Sequence, residues 1–262
     1  MPRCIITPFM LDRRLPDVER LVVPGSLMND PTVPAGDLFE IVGGLLVPLA
    51  AMVEQVRREG QRPVSIGGDC CQTIGVLAGL RRGGVDPVIL WLDAHGDFNT
   101  PETSPSGFVG GMPLAMLAGR GDTRLLKAAG LNPVPERDIV LCDARDLDPL
   151  ERKAVETSQI GHVRSLADVP ARIPEGRPLY VHVDLDVIDP SDAPAMLYPV
   201  PGGPSAAAVR DLLETLVRTR DVAGASMTLW ALDRDADGAT ARACIDAVTP
   251  LLASDAEIRQ AG

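Results

Sequence analysis

Short apolar runs rich in Val, Ile and Leu punctuate the chain at residues 3–8, 63–66, 87–92, 138–142, 179–183 and 222–229, each bounded by Gly, Pro or Asp. Runs this short, apolar towards both faces, predict strands buried inside a parallel sheet. Between them, residues 37–59, 71–82, 112–119, 148–158, 205–220 and 238–253 carry helical patterning. In the fifth of these, Val209, Leu212, Leu213, Leu216 and Val217 recur at i, i+3, i+4 and i+7 and make one apolar stripe. Strand and helix in alternation predict an α/β fold of three layers, with helices on both faces of the sheet. No linker, repeat or shift of composition divides the 262 residues, so a single domain over 1–262 is expected.

Composition narrows the function. Aromatic residues make up 3% of the chain and the formal net charge is −11, which disfavours both base stacking and a phosphate backbone as partner. A small-molecule partner is expected and no nucleic acid. The stretch MPRCIITPFMLDRR lacks a signal-peptide core, and no uninterrupted apolar run reaches about 18 residues, so no membrane partner is expected. Five cysteines, scattered and odd in number, fit a reducing compartment, and the cytoplasm is the expected location.

Two of the apolar runs end in carboxylates. In VILWLDAHGDFNT, Asp93, His95 and Asp97 stand at alternate positions; in YVHVDLDVIDP, Asp184 and Asp186 repeat the spacing. Side chains two apart on an extended chain point the same way, and in open parallel sheets ligands bind at the carboxyl ends of the strands. Carboxylates gathered there repel one another unless they are protonated or matched by positive charge. No Lys or Arg occurs between Leu92 and Phe108, or between Leu179 and Tyr198. A lone Asp at a strand end is more often a turn former than a ligand; the doubled alternation points to a divalent metal, or a pair. Carboxylates with one imidazole form an oxygen-rich set compatible with manganese. The polar segment 98–113, FNTPETSPSGFVGGMP, follows directly, and long loops in compact domains are often functional.

The segments SIGGDCCQTIG, LDAHGDFNTPETSPSGFVGGMP and VDLDVIDPSDAPA, followed by YPVPGG and DRDADGATAR, resemble in order the signature segments of the arginase/agmatinase (ureohydrolase) family. The resemblance covers about residues 64–245. It implies one α/β/α domain with a mostly parallel sheet of about eight strands, and two divalent ions, most often Mn2+. It also implies hydrolysis of a guanidino or amidino C–N bond by a hydroxide bridging the ions, and assembly as a homo-oligomer, a trimer or hexamer. Residue by residue, Asp93 and Asp184 would bridge the ions, Asp97 would complete one shell, and His95 and Asp186 would bind the other ion. Asn99 and Ser106 would hold the substrate, with Phe108 beside them.

The chain departs from the family pattern in three places. Cys70 stands where the family carries a His ligand, and that position favours ligation, with a thiolate softer and better suited to Zn2+ or Fe2+; the alternative is a small buried cysteine, and its neighbour Cys71 is left to packing. In the loop, Gly110 replaces the proton-shuttling His and Phe108 replaces an Asn. Losing a general acid matters least for a substrate with a less basic leaving nitrogen, such as an N-hydroxyguanidine, hydroxyarginine being one. His182, two positions before Asp184, is the first candidate to orient that residue or carry the proton, and Glu102 the second. Asp97, His182 and Asp184 are thus the catalytic candidates. Leu229 stands where the family places a Glu for the guanidinium, so a neutral or differently held substrate is plausible. The expected function is metal-dependent hydrolysis of a C–N bond, the alternative being a relative that keeps the metal and has lost turnover. A magnesium phosphotransferase built on DLDVIDP is disfavoured, because that loop stands too late in the chain.

Overall fold

All six expected strands form in the computed structural model, which describes residues 1–15, 18, 25–228 and 230–253. They are β1 (Pro2–Thr7), β5 (Arg62–Gly67), β6 (Val88–Asp93), β7 (Ile139–Asp143), β9 (Leu179–Asp184) and β10 (Val222–Thr228). Two edge strands, β4 (Leu27–Met28) and β8 (Gly161–Val163), complete an eight-stranded sheet of order β4-β1-β5-β10-β9-β6-β7-β8. Every pairing in that sheet is parallel. A small antiparallel hairpin, β2 (Phe9–Met10) with β3 (Arg13–Arg14), stands apart. These additions are two or three residues long, too short to leave a hydrophobic period.

Helices α1 (Leu38–Arg58), α2 (Gln72–Arg82), α3 (Pro113–Leu117), α4 (Arg124–Ala129) and α5 (Pro149–Glu156) cover one face, and α6 (Val169–Arg172), α7 (Ala206–Thr219) and α8 (Ala239–Leu252) the other. Alternation along the strands feeds both layers: Ile89 and Trp91 pack towards the first face, Leu90 and Leu92 towards the second. The chain steps one way through β1, β5, β6, β7 and β8, then turns back through β9 and β10, which fill the gap between β5 and β6. Because parallel crossovers keep one hand, the reversal of direction moves the helices to the opposite face. It also sets the carboxyl ends of β5, β10, β9 and β6 side by side, where a ligand crevice belongs.

Helix α1 is long and apolar enough to cross a membrane by length and composition. Here it is a core helix: Val42, Leu46, Leu49 and Val53 are buried, and it lies tightly against α2. A Cβ on Gly79 of α2 would fall 2.5 Å from the Ala50 carbonyl oxygen, so the close approach requires glycine there.

Candidate metal centre

β6 ends at Asp93 and β9, its neighbour in the sheet, ends at Asp184. Asp93 is fixed by two donors, the His95 backbone N–H at 2.7 Å and the Trp91 indole Nε1–H at 3.1 Å. Asp184 accepts the Asp186 backbone N–H at 3.0 Å through Oδ1, and the Cys70 thiol at 3.2 Å through Oδ2. The His95 Nδ1 lies 3.1 Å from Asp186 Oδ2 and 3.4 Å from Asp93 Oδ1. Cys70 reaches the group from the turn between β5 and α2, and the Thr228 hydroxyl at the end of β10 lies 3.9 Å from its sulfur.

Asp97 does not continue the alternation of the strand. The extended chain stops at Asp93, and Asp97 enters through a left-handed turn with φ of 49°, a conformation that a non-glycine residue holds only when its surroundings enforce it. They do so here. The Asp97 carbonyl accepts the N–H groups of Leu114 and Ala115 at the start of α3, at 3.0 and 3.1 Å. On its other side, Glu151 Oε1 accepts the Phe98 N–H at 2.9 Å while Oε2 accepts the Asp148 N–H at 3.2 Å. Glu151 thereby ties the loop after β6 to the first turn of α5.

Two donor sets emerge. One ligand atom from each of Cys70, Asp93 and His182 lies within 4.8 Å of the others, and the same holds for Asp93, His95 and Asp186. Asp93 belongs to both. Asp97 Oδ2 is buried without a hydrogen-bond partner, as is His182 Nε2. Burial first, and then the charges of neighbouring carboxylates, raise the pKa of Asp93 and push Asp97 and Asp186 well above the carboxylate range. The same causes hold the Cys70 thiol far above its ordinary pKa. Burial opposes the charge on His95, yet Asp186 and Asp93 outweigh it and push that imidazole up to about 12. His182, fully buried, is driven down to about 4 and stays neutral. A single imidazolium cannot balance this many acids. Carboxylates with unpartnered oxygens, a thiol and two imidazoles fit a pair of divalent cations, which would take the place of the missing charge.

Above the cluster opens a cleft of about 360 Å³. Phe108 and Tyr198 frame its mouth with ring centroids 5.8 Å apart. Gly110 has room for no side chain, because the Phe108 ring fills the space. Asn99 lines the cleft, but its amide donates to Asp148 at 3.0 Å and its carbonyl oxygen accepts the Thr103 hydroxyl at 2.9 Å. Ser106 is exposed at the rim, its hydroxyl accepting the Phe108 N–H at 3.2 Å. Glu102 is turned outward and accepts the Thr100 hydroxyl. Cys71 is buried just before α2. The position Leu229 lies outside the described residues. Sequence reasoning missed Asp146, Asp148 and Glu151, which line one wall. Their signal was a third alternation of acids after a strand, in ARDLDPLE, hidden by its reading as a helix start.

The sequence profile of the arginase family matches residues 26–253. An arginase of Bacillus caldovelox is 39% identical over 168 residues, 59% of this chain and 56% of the relative, so the match spans little more than half that relative's length. An N(omega)-hydroxy-L-arginine amidinohydrolase of Streptomyces lavendulae is 28% identical over 243 residues, 90% of this chain and 85% of the relative. The crystal structure of arginase from Bacillus cereus superposes with a TM-score of 0.81 at 26% identity, covering 97% of this chain and 99% of that one.

Proposed function

The chain belongs to the arginase family, and from that premise we propose that it hydrolyses a C–N bond in a guanidino or amidino small molecule, aided by two divalent ions. The observation that carries this reading is the pair of donor sets sharing Asp93, with Asp97 and Asp184 beside them. Two such ions supply acidified water and Lewis-acid stabilisation of charge at the attacking and leaving atoms. Asp93 and Asp184 would be shared by the two ions, Asp97 and Cys70 would serve the one nearer the sheet, called inner, and His95 and Asp186 the other, called outer.

The cleft wall supports a particular kind of substrate. Among the described residues lining it there is no Lys or Arg, whereas Asp146, Asp148 and Glu151 all face it. A substrate with a cationic or neutral end suits that field, and one whose only charge is negative does not. Gly110 offers no loop imidazole to protonate the leaving nitrogen. Of the three histidines in the chain, His162 is bonded to the Asp143 carbonyl at 3.0 Å from the edge strand β8. In hydrolysis to hydroxyurea the hydroxyl stays on the retained nitrogen and the departing nitrogen is the alkyl amine, so ease of leaving does not select an N-hydroxyguanidine; its lower basicity does, because it can enter the cleft as a neutral group. The Streptomyces relative, named for hydroxyarginine, supports the same choice.

The test is a panel of arginine, agmatine, guanidinobutyrate, formiminoglutamate and hydroxyarginine, with manganese, zinc and iron(II) supplied in turn and urea, hydroxyurea and ammonia assayed. Hydroxyurea from hydroxyarginine is the expected product. Silence across the panel from metal-loaded protein would favour a relative that binds metal without turnover.

A further inference from the structure

His182 is 0% exposed and sits in the middle of the sheet, paired in register with Trp91 on β6 and Ser226 on β10. Its Nδ1 lies 2.8 Å from the Ser226 hydroxyl and 3.4 Å from that of Thr73, and Ser226 in turn meets the Tyr180 hydroxyl. The ring is pinned on one side by the Trp91 indole, with centroids 4.0 Å apart. One imidazole nitrogen is thus spent on a hydroxyl network. The other, Nε2, is buried and has no hydrogen-bond partner. The Cys70 thiol is directed at Asp184, and the Trp91 indole N–H at Asp93. An imidazole that merely packed in a strand would have both nitrogens satisfied. A metal ligand, by contrast, anchors one nitrogen to a hydrogen-bond partner and presents the other to the ion. That is the arrangement of His182: one of its ring nitrogens falls within 4.8 Å of Cys70 and Asp93 donor atoms, and with Nδ1 taken by Ser226 the nitrogen free to bind is Nε2.

We infer that His182 is a direct ligand, through Nε2, of the inner of the two ions. Resting on the two-ion reading above, this gives the centre two unlike halves. Cys70 and His182 would offer sulfur and nitrogen to the inner ion beside the oxygens of Asp93 and Asp97, a softer set that takes zinc or iron(II). Asp93, His95 and Asp186 offer the outer ion a harder set suited to manganese. Cys70, in the turn between β5 and α2, would supply sulfur, and His182 on β9 an imidazole to the same ion.

The experiment loads the purified chain with one equivalent of zinc and then with manganese. Metal per chain is counted, and the zinc is examined by X-ray absorption. Wild type is expected to hold one of each, with one sulfur and one imidazole on the same zinc. His182→Gln should lose the zinc while retaining manganese, and Ser226→Ala, which keeps the imidazole but frees its Nδ1, should weaken zinc binding about 10-fold or more. Wild-type zinc bearing sulfur without imidazole, or His182→Gln holding zinc as tightly as wild type, would overturn the assignment while leaving two ions in place. Wild type that binds no transition metal would instead refute the two-ion reading itself. The absorption spectrum of the wild type needs no variant to fold.

Discussion

The Phe108 ring occupies the volume that a side chain at Gly110 would need: a Cβ built there would lie 2.5 Å from the ring Cζ. The two departures from the family loop are therefore one structural exchange, an aromatic ring folded over the place of an imidazole. Gly110→His alone must displace that ring, at a cost of about 1–3 kcal/mol, and should lower the melting temperature. Combined with Phe108→Asn it should fit, and raise kcat about 10-fold or more for amidines with strongly basic leaving nitrogens. Thermal melts and steady-state rates of the single and double variants check both halves. A double variant no faster than wild type would dissociate the exchange from proton supply.

Cys70→His replaces sulfur with imidazole beside Asp184. Manganese preference over zinc is expected to rise, because the softer donor is gone. Competition between the two metals for chelated protein measures the ratio, and an unchanged ratio would place Cys70 outside the coordination shell.

Stability should fall with rising pH when metal is absent and should lose that fall when metal is bound. Asp93, Asp97 and Asp186 have raised pKa values through burial and mutual repulsion. In chelator, the folded chain therefore holds more protons than the unfolded chain above the unfolded carboxylate value of about 4. Stability then falls as pH rises from there through neutrality. His95, raised to about 12, has the same sign: its contribution is full below its unfolded value near 6.5 and is lost as pH climbs towards 12. Asp189, held at about 2 by the backbone N–H groups of Ser191, Gly202 and Gly203, runs the other way below about pH 4, and His182, lowered to about 4 by burial, runs the other way from about pH 4 to 6.5, where the raised carboxylates outnumber it. Urea midpoints of chelated protein should fall from about pH 5 to about pH 8 and should not fall with manganese or zinc present. A midpoint that rises over that range in chelator would show that the carboxylates are not crowded.

Glu151 clamps the Phe98 and Asp148 N–H groups with its two oxygens, and burial lifts its pKa to about 7. Glu151→Ala leaves both donors without their partner and should cost about 2 kcal/mol. It should also weaken metal binding by loosening the turn that carries Asp97. Denaturant melts and metal titration read the two effects separately.

Much of this was legible in the chain because it rests on burial. Runs such as VILWLD are apolar towards both helical layers, so every strand of that kind could be read, while β4 and β8 are too short to show a period. The carboxylates at Asp93 and Asp184 were legible because they end such runs. Asp97 was found for an incomplete reason, since its placement depends on a left-handed turn held from α3 and α5, contacts that no local pattern encodes. The roles of Phe108 and His182 were harder still: one fills space across its own loop, and the other is defined by a nitrogen left unpartnered only once three strands are assembled.

The central claim is that carboxylates from two adjacent strand ends hold a pair of cations in common. Anomalous X-ray diffraction from metal-loaded crystals tests it most directly. Two peaks about 3.5–4 Å apart, with Asp93 and Asp184 between them, are expected. A single peak, or density remote from residues 93–97 and 184–186, would contradict it.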